Sequence, residues 1–118
     1  MESIQPEVLR SAIKEVWIRA LTEVQPDVLN ALVKARAEET NPRGQQYLDI
    51  LIENAKKAKE NRIVICQDTG VPTFFVKTSL SFPFTGDIRA EFDGALRDLT
   101  KKEFPMRPMV VHPLTRKD

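Results

Sequence analysis

The sequence predicts an α+β fold in which a helical N-terminal part is followed by a small mixed sheet with helices. Over roughly the first half of the chain, apolar side chains recur every three or four positions, which is the period of amphipathic helices. Two short runs rich in β-branched and aromatic residues then follow at 63–65 and 73–80, and this composition is typical of strands. The chain has 118 residues, enough for one modest hydrophobic core, so residues 1–118 are assigned to one domain.

Three helices are predicted in the first half of the chain. The first runs from about Pro6 to Thr22, and we expect its apolar stripe to be largely buried. Pro26 suits the first turn of a second helix, because the N–H that proline lacks would have no partner there. Asn41 can cap the N–H groups that open a third helix, which continues into a Lys-rich stretch at 56–59. The stripe of the first helix contains Val8, Ile13, Val16 and Trp17.

The second half is predicted to mix strands with one further helix. Residues 63–65, Ile-Val-Ile, indicate a buried strand, and residues 73–80 indicate a second one. Asp87 is a suitable cap for a fourth helix that ends at Pro105, and a third short strand is expected at 109–111. The core face of the fourth helix is expected to contain Ile88, Phe92, Leu96 and Leu99.

Composition and charge exclude several classes of protein. The formal net charge is +1, which leaves no electrostatic footprint for nucleic acid or for an acidic membrane surface. No apolar run approaches the length needed to span a bilayer, and the N-terminus lacks the basic start and apolar stretch of a secretory signal. The single cysteine excludes an internal disulfide and is typical of a reducing compartment. We therefore expect a cytoplasmic protein with neither a nucleic-acid nor a membrane partner.

One segment, residues 66–70, gathers the chemistry of a functional site. It reads Cys-Gln-Asp-Thr-Gly and follows the predicted strand at 63–65, where loops on a rigid sheet usually present functional groups. The thiolate of Cys66 can bind a soft metal, and the side chains of Gln67 and Asp68 can bind hydroxyl or carboxyl groups of a polar substrate. Gly70 lets the main chain approach a ligand closely.

Each of these residues also has a structural interpretation. A lone cysteine after an apolar run is often a small buried residue, and no second Cys or His stands at a metal-ligand spacing. Asp-Thr-Gly at 68–70 is also an ordinary turn sequence. His112, the single histidine, is assigned a surface or structural role. The residues by themselves leave both interpretations open.

The pentapeptide at 66–70 resembles the first cluster-binding motif of the class I fumarases and L(+)-tartrate dehydratases, which are iron–sulfur hydro-lyases. Residues 25–29, Gln-Pro-Asp-Val-Leu, resemble the family's second helix, and residues 51–55, Leu-Ile-Glu-Asn-Ala, resemble the helix that leads into the motif. Residues 107–114 resemble the family's Arg-x-Ser-x-Val-x-x-Pro-Leu segment. By this ordered succession, the chain is identified as the N-terminal part of an α subunit of this family.

The resemblance implies a role for each motif residue. Cys66 would be one of three cysteines that ligate a [4Fe–4S] cluster, whose fourth iron would bind the substrate directly as a Lewis acid. Gln67 and Asp68 would lie beside a C4 dicarboxylate substrate, with Asp68 as the catalytic residue. Arg107 would clamp a substrate carboxylate with its planar guanidinium. The implied reaction is the reversible addition or removal of water, either between fumarate and malate or from L(+)-tartrate to oxaloacetate.

The chain departs from the family pattern in ways that bear on its activity. The family requires two more cysteines, which lie beyond position 118 in its α subunits, and Pro108, Met109 and His112 differ from its usual residues. We therefore expect a truncated portion of a larger domain that binds no cluster and is inactive by itself. Its expected partners are a β subunit or C-terminal domain of the same enzyme, and we also expect a homo-oligomer.

Two other functions stay open at this point. The chain could be a non-catalytic truncated remnant or assembly module that keeps the fold but has lost the cluster. It could also be a small cysteine-dependent enzyme unrelated to iron, which rapid labelling of Cys66 by a thiol reagent at neutral pH would indicate.

Overall fold

The computed structural model describes residues 3–66 and 72–102, and this part of the chain contains four α-helices. Helix α1 spans Pro6–Thr22, α2 spans Pro26–Glu38, α3 spans Pro42–Asn61 and α4 spans Ile88–Lys102. All four helices predicted from the sequence are confirmed, and α1, α2 and α3 begin at the predicted prolines. None of these helices is both long and apolar enough to cross a membrane.

Local capping explains where α3 and α4 begin. The Asn41 side chain accepts a hydrogen bond from the Arg43 N–H at 2.9 Å. Asp87 Oδ1 accepts two hydrogen bonds, from the N–H groups of Arg89 at 2.9 Å and Ala90 at 3.2 Å. These N–H groups have no partner within the helix, so each cap stabilises its helix by about 1 kcal/mol. Both caps are the residues that the sequence predicts.

The predicted small mixed sheet is wrong for the described residues, which form helices and irregular segments but no strand. The run at 63–65 has no paired strand, and the Ile65 N–H instead donates to the Leu21 carbonyl at 2.9 Å. The segment at 73–80 exposes side chains that a buried strand would cover, and Phe75 is 97% exposed. Composition shows that a run suits a sheet, but a strand forms only beside a partner, and no described segment pairs with either run. The predicted strand at 109–111 lies outside the described residues.

The chain divides into two compact units, and helix α1 contributes to both. The first unit comprises Met1–Val16 with Asp68–Asp118, and the second comprises Trp17–Gln67. The first unit therefore contains α4 and the beginning of α1, whereas the second contains the end of α1 together with α2 and α3. Each unit buries its own small set of side chains.

In the first unit, two ion pairs join α1 to α4. Arg10 Nε lies 2.8 Å from Glu91 Oε2, and Lys14 Nζ lies 2.7 Å from Asp98 Oδ2. Both pairs connect a cation of α1 to a carboxylate of α4.

The apolar core of the first unit is small. The rings of Phe74 and Phe92 have centroids 4.5 Å apart, which attaches the segment at 73–80 to α4. Leu99 lies on the predicted core face of α4 and is buried, whereas Ile88, Phe92 and Leu96 of that face are half-buried. The buried apolar side chains of this unit are Ile13, Ala95 and Leu99.

In the second unit, α2 packs against α3, the next helix in the sequence. Arg36 Nε of α2 lies 2.7 Å from Asp49 Oδ1 of α3, and no residue of α2 is buried. The buried side chains of this unit belong to the end of α1 and to α3. They are Trp17, Ile18, Leu21, Thr22, Ala55 and Ala58.

The stripe predicted for α1 is buried only in part. Ile13 and Trp17 are buried, as expected, but Val8 is 61% exposed and Val16 is 59% exposed. At 3.6 residues per turn, the buried Leu21 lies on the same side of the helix as Ile13 and Trp17, whereas Val8 and Val16 lie on another side. Apolar residues occupy much of the circumference of α1, so their spacing predicts the helix but not the side that packs.

Candidate functional site

Cys66 lies on a short connection that follows α3. The helix ends at Asn61, and Arg62 adopts the left-handed conformation with φ of 51°, which turns the chain away from the helix axis. The Ile63 N–H then donates to the Ala58 carbonyl at 3.0 Å. Cys66 is exposed to solvent three residues further along. The end of α3 thus places the thiol on the surface of the second unit.

Ile65, the residue before Cys66, is held at both of its main-chain polar groups. Its N–H donates to the Leu21 carbonyl at 2.9 Å, and its carbonyl accepts a hydrogen bond from Asn54 Nδ2 at 2.8 Å. Leu21 lies in the last turn of α1, where carbonyls have no helical partner, so the bond from Ile65 satisfies one of them. Because both partners belong to helices, α1 and α3 fix the main chain that leads into Cys66.

The other predicted site residues, Gln67, Asp68 and Arg107, lie outside the described residues, as does His112. Their predicted positions near Cys66 and their predicted roles therefore stay predictions. For Cys66 the structure corrects one detail, because the residue follows a helix and an irregular connection rather than a strand.

The donor chemistry of Cys66 fits an iron–sulfur cluster, although the described residues supply a single such ligand. Clusters are held by cysteine thiolates, and Cys66 is an exposed thiol on a fixed main chain. Within 3–66 and 72–102, no group of three or more His, Cys, Asp or Glu side chains could hold a metal ion. A cluster bound by Cys66 therefore needs its other ligands from elsewhere.

Two carboxylates with a lowered pKa belong to ion pairs between helices, whereas a third, Glu53, is paired with Lys57 within α3. A hydrogen bond from Lys14 lowers the pKa of Asp98, and a hydrogen bond from Arg36 lowers the pKa of Asp49. In both pairs the cation favours the charged carboxylate. Neither pair includes Cys66, so these shifts belong to helix packing.

Each unit has a cavity among its described residues. A cavity of about 260 Å³ in the first unit is lined by apolar side chains of α1, 74–77 and α4, with Lys77 as its one cation. A cavity of about 250 Å³ beside α2 and α3 is lined by Lys59 and Glu60 among others, and Lys59 Nζ lies 3.1 Å from Glu23 Oε2. Cys66 lines neither cavity.

Asn54 is a functional candidate that the sequence analysis misses. It lies within α3 on the side of the helix that also carries Leu51 and Ala58, three residues before it and four after it. An asparagine on an otherwise apolar stripe is the signal that could have revealed it, because Asn is a poor helix former and its amide needs a partner when half-buried. The partner here is the Ile65 carbonyl.

Comparison with known proteins connects this chain to a family. The sequence profile described as fumarate hydratase (Fumerase) matches residues 10–118. A putative L(+)-tartrate dehydratase subunit alpha of Methanocaldococcus jannaschii is 34% identical over 112 residues, which cover 93% of this chain and 39% of that protein. A putative class I fumarate hydratase of Geobacillus stearothermophilus is 33% identical over 110 residues, which cover 92% of this chain and 21% of that protein.

A third relative agrees with the first two. The L(+)-tartrate dehydratase subunit alpha of Escherichia coli (strain K12) is 31% identical over 86 residues, which cover 73% of this chain and 28% of that protein. The chain therefore spans less than half the length of each of these curated relatives. Because the family profile extends from residue 10 to residue 118, the chain belongs to the fumarate hydratase (Fumerase) family of hydro-lyases.

Proposed function

We propose that this chain is the N-terminal part of the α subunit of a [4Fe–4S]-dependent hydro-lyase that reversibly adds water to, or removes water from, a C4 dicarboxylate. The observation that carries the proposal is the exposed thiol of Cys66 on a main chain fixed by α1 and α3, at the start of the Cys-Gln-Asp-Thr-Gly segment. Family membership and the names of the relatives support the class of reaction. In this proposal the domain continues beyond residue 118, and the enzyme acts in the cytoplasm.

Cys66 is assigned the role of one thiolate ligand to the cluster. When bound, the cluster supplies a Lewis-acidic iron for the hydroxyl group that leaves or the water that is added. A thiolate is a soft ligand that a hydroxyl replaces poorly, so Cys66 is indispensable for iron binding in this proposal. The anchored main chain before Cys66 keeps that ligand in one place.

Gln67, Asp68 and Arg107 are assigned the handling of the substrate. Arg107 binds one carboxylate through two parallel hydrogen bonds, which orients the substrate. The Gln67 amide binds a hydroxyl or carboxyl oxygen of the substrate. On removal of water, Asp68 accepts on a carboxylate oxygen the proton of the carbon next to the one that loses the hydroxyl group, while the electrons of that C–H bond form the double bond. In the reverse reaction it returns the proton to the same carbon.

The working enzyme is proposed to contain more polypeptide than this chain. The relatives are longer, and two are named as an alpha subunit, which supports a β subunit or a C-terminal domain as partner. Large apolar side chains are exposed on both units, among them Tyr47, Phe75 and Leu80. Surface of this kind is expected where another polypeptide or a second copy of the chain packs. By itself the chain is expected to be inactive, because one thiolate cannot hold a cluster.

A non-catalytic remnant or assembly module is the alternative function. The observation that favours it is that this chain contains a single cysteine, whereas iron–sulfur clusters are held by several cysteine thiolates. In this alternative the complete protein assembles with its partners but contains no iron. Iron content of the complete protein therefore separates the two functions.

Steady-state kinetics of the complete enzyme, with fumarate and with L(+)-tartrate as substrates, test the roles of the substrate-handling residues. Asp68→Asn keeps the shape of the side chain but removes the proton acceptor, so kcat should fall by about 10²–10⁴-fold while the cluster stays intact. Arg107→Ala should raise KM for the dicarboxylate and also lower kcat through misplacement of the substrate. Ala20→Ser, at an exposed position of α1, is the control and should change neither constant. Near-normal kcat/KM in both test variants, with normal iron content, would remove Asp68 and Arg107 from the site.

A further inference from the structure

The Asn54 side chain acts on the peptide group that enters Cys66. Its Nδ2 donates to the Ile65 carbonyl at 2.8 Å, in a partly buried position. The Ile65 carbonyl and the Cys66 N–H belong to one planar peptide unit. A hydrogen bond that holds the carbonyl therefore fixes the orientation of the whole unit, which includes the Cα of Cys66.

The preceding peptide unit is held as well. Its N–H, that of Ile65, donates to the carbonyl of the buried Leu21 at 2.9 Å. Only the φ and ψ rotations of Ile65 relate these two consecutive planes, so holding both planes fixes both angles. The Cα of Cys66 is thereby set relative to α3 and to the end of α1.

We propose that Asn54 is a positioning residue for Cys66, and that it determines how the thiol is presented by holding the peptide between Ile65 and Cys66. The inference rests on the proposed function only where it assigns that thiol to a cluster. Asn54 is half-buried and lies four residues before the buried Ala58 on the same side of α3, so an apolar side chain at position 54 would suit the packing of the helix. An apolar side chain at this position would lack the amide of Asn54. Without that amide, the Ile65 carbonyl loses the donor that orients it.

Asn54→Leu is the test variant, because leucine has the same branched shape, favours the helix and cannot donate a hydrogen bond. Asn61→Leu is the matched control. Asn61 Nδ2 donates to the Lys57 carbonyl at 2.9 Å, so the control removes a similar bond from the same helix without affecting the peptide of Cys66. Asn54→Ala repeats the test without added bulk, and far-UV circular dichroism verifies that each variant keeps its helices.

The single cysteine allows a nitroxide spin label to be attached at Cys66 alone, in the chain by itself. Asn54→Leu and Asn54→Ala should increase the mobility of the label and accelerate hydrogen exchange at the Ile65 N–H, because the connection loses one of its anchors. Asn61→Leu should change neither observable. An unchanged line shape and unchanged exchange in both Asn54 variants, with helicity retained, would overturn the inference whatever the protein's function.

The complete enzyme links this positioning to the cluster. Asn54→Leu should weaken iron retention by about 10–100-fold, the usual effect of losing a group that orients a metal ligand, and should shift the electron paramagnetic resonance spectrum of the reduced cluster. Asn61→Leu should do neither. Normal iron retention with an unshifted spectrum would overturn the assignment of Asn54 to the cluster ligand. If instead Cys66→Ser leaves the iron content unchanged, the proposed function fails, and the spin-label result still decides whether Asn54 positions Cys66.

Discussion

Two short segments of the chain, 63–66 in the second unit and 75–78 in the first, differ in how their main chains are held. In the first segment, the Ile63 and Ile65 N–H groups donate to carbonyls of α3 and α1, and the Ile65 carbonyl accepts from Asn54. In the second segment, no hydrogen bond joins the main chain to another of the described residues, and Phe75 is almost fully exposed. Both segments contain large apolar side chains, so the presence of such side chains does not by itself decide how the main chain is held. The difference comes from the ends of helices, whose unpaired carbonyls can accept hydrogen bonds from a neighbouring irregular segment and so anchor it.

The two segments are therefore suited to different tasks. A metal ligand must be held in one geometry by groups that are themselves fixed, and the anchored segment before Cys66 meets that requirement. Exposed apolar side chains such as those of Phe75 and Val76 are instead typical of a surface that another polypeptide covers.

The largest effect on the free energy of unfolding is expected when a buried leucine of the first unit is replaced, whereas replacing an exposed leucine of the same unit should have almost none. Leu99 is 1% exposed, and Leu99→Ala should lower the free energy of unfolding by about 2–5 kcal/mol because it leaves a cavity. Leu80 is fully exposed, so Leu80→Ala should change that free energy by no more than about 0.5 kcal/mol. Urea denaturation followed by circular dichroism measures both variants. Similar losses of unfolding free energy in the two variants would contradict the assignment of buried and exposed regions, since they would show that Leu80 is packed in solution.

A smaller effect on stability, but a clear effect on association, is expected for the exposed segment itself. Phe75→Ser should change the free energy of unfolding by less than about 0.5 kcal/mol, because the ring is exposed. It should reduce self-association of the chain at high concentration, because it removes much of the exposed apolar surface of 75–78. Light scattering over a concentration series measures the association, with Thr78→Ser as the control in the same segment. Unchanged association combined with a loss of stability would contradict this account of the segment.

The smallest expected effect is a dependence of stability on pH. It should come from the ion pairs between helices, because the main-chain hydrogen bonds that anchor Ile65 do not titrate. Hydrogen bonds from Lys14 and Arg36 lower the pKa values of Asp98 and Asp49 below the ordinary value of 3.8. A carboxyl group with a lowered folded-state pKa stabilises the fold above its unfolded pKa, and this stabilisation is lost as the pH falls through the folded pKa. Each pair is partly exposed to solvent, so the contribution is small.

Asp98→Asn and Asp49→Asn should each lower the midpoint of thermal unfolding slightly at neutral pH. The difference from the unmodified chain should shrink as the pH falls from 3.8 through the lower folded-state pKa, because the folded carboxyl of the unmodified chain also becomes neutral there. Thermal unfolding at a series of pH values measures it. A difference that stays constant down to acid pH would show that the ion pairs are not its cause.

The helices of this fold follow from local sequence, whereas the predicted sheet does not. Pro26 and Pro42 begin helices, and Asn41 and Asp87 cap them, because these effects depend on a few neighbouring residues. A sheet depends on pairing between distant segments, which the composition of 63–65 and 73–80 could not establish. The same limit applies to α1, where the spacing of apolar residues predicts a helix but not the side that packs.

The site shows a similar division between local and distant information. The role of Cys66 stays a prediction, and it could be made from the pentapeptide that begins with it because that signal is contiguous in the sequence. The anchors of Ile65 could not, since they require α3 and the end of α1 to approach the same connection. Asn54 is separated from Ile65 by eleven positions, and only its place on an apolar stripe suggests a use for its amide.

The iron content of the complete enzyme tests the central claim, that Cys66 is a cluster ligand, most directly. The complete enzyme, its Cys66→Ser variant and its Ala20→Ser control are reconstituted anaerobically, and iron and sulfide are counted per protein together with visible absorbance. Our account predicts a stable cluster in the unmodified enzyme and in Ala20→Ser, and none in Cys66→Ser, because a hydroxyl is a poor replacement for a thiolate. A full complement of iron and sulfide in Cys66→Ser, with unchanged activity, would contradict the account.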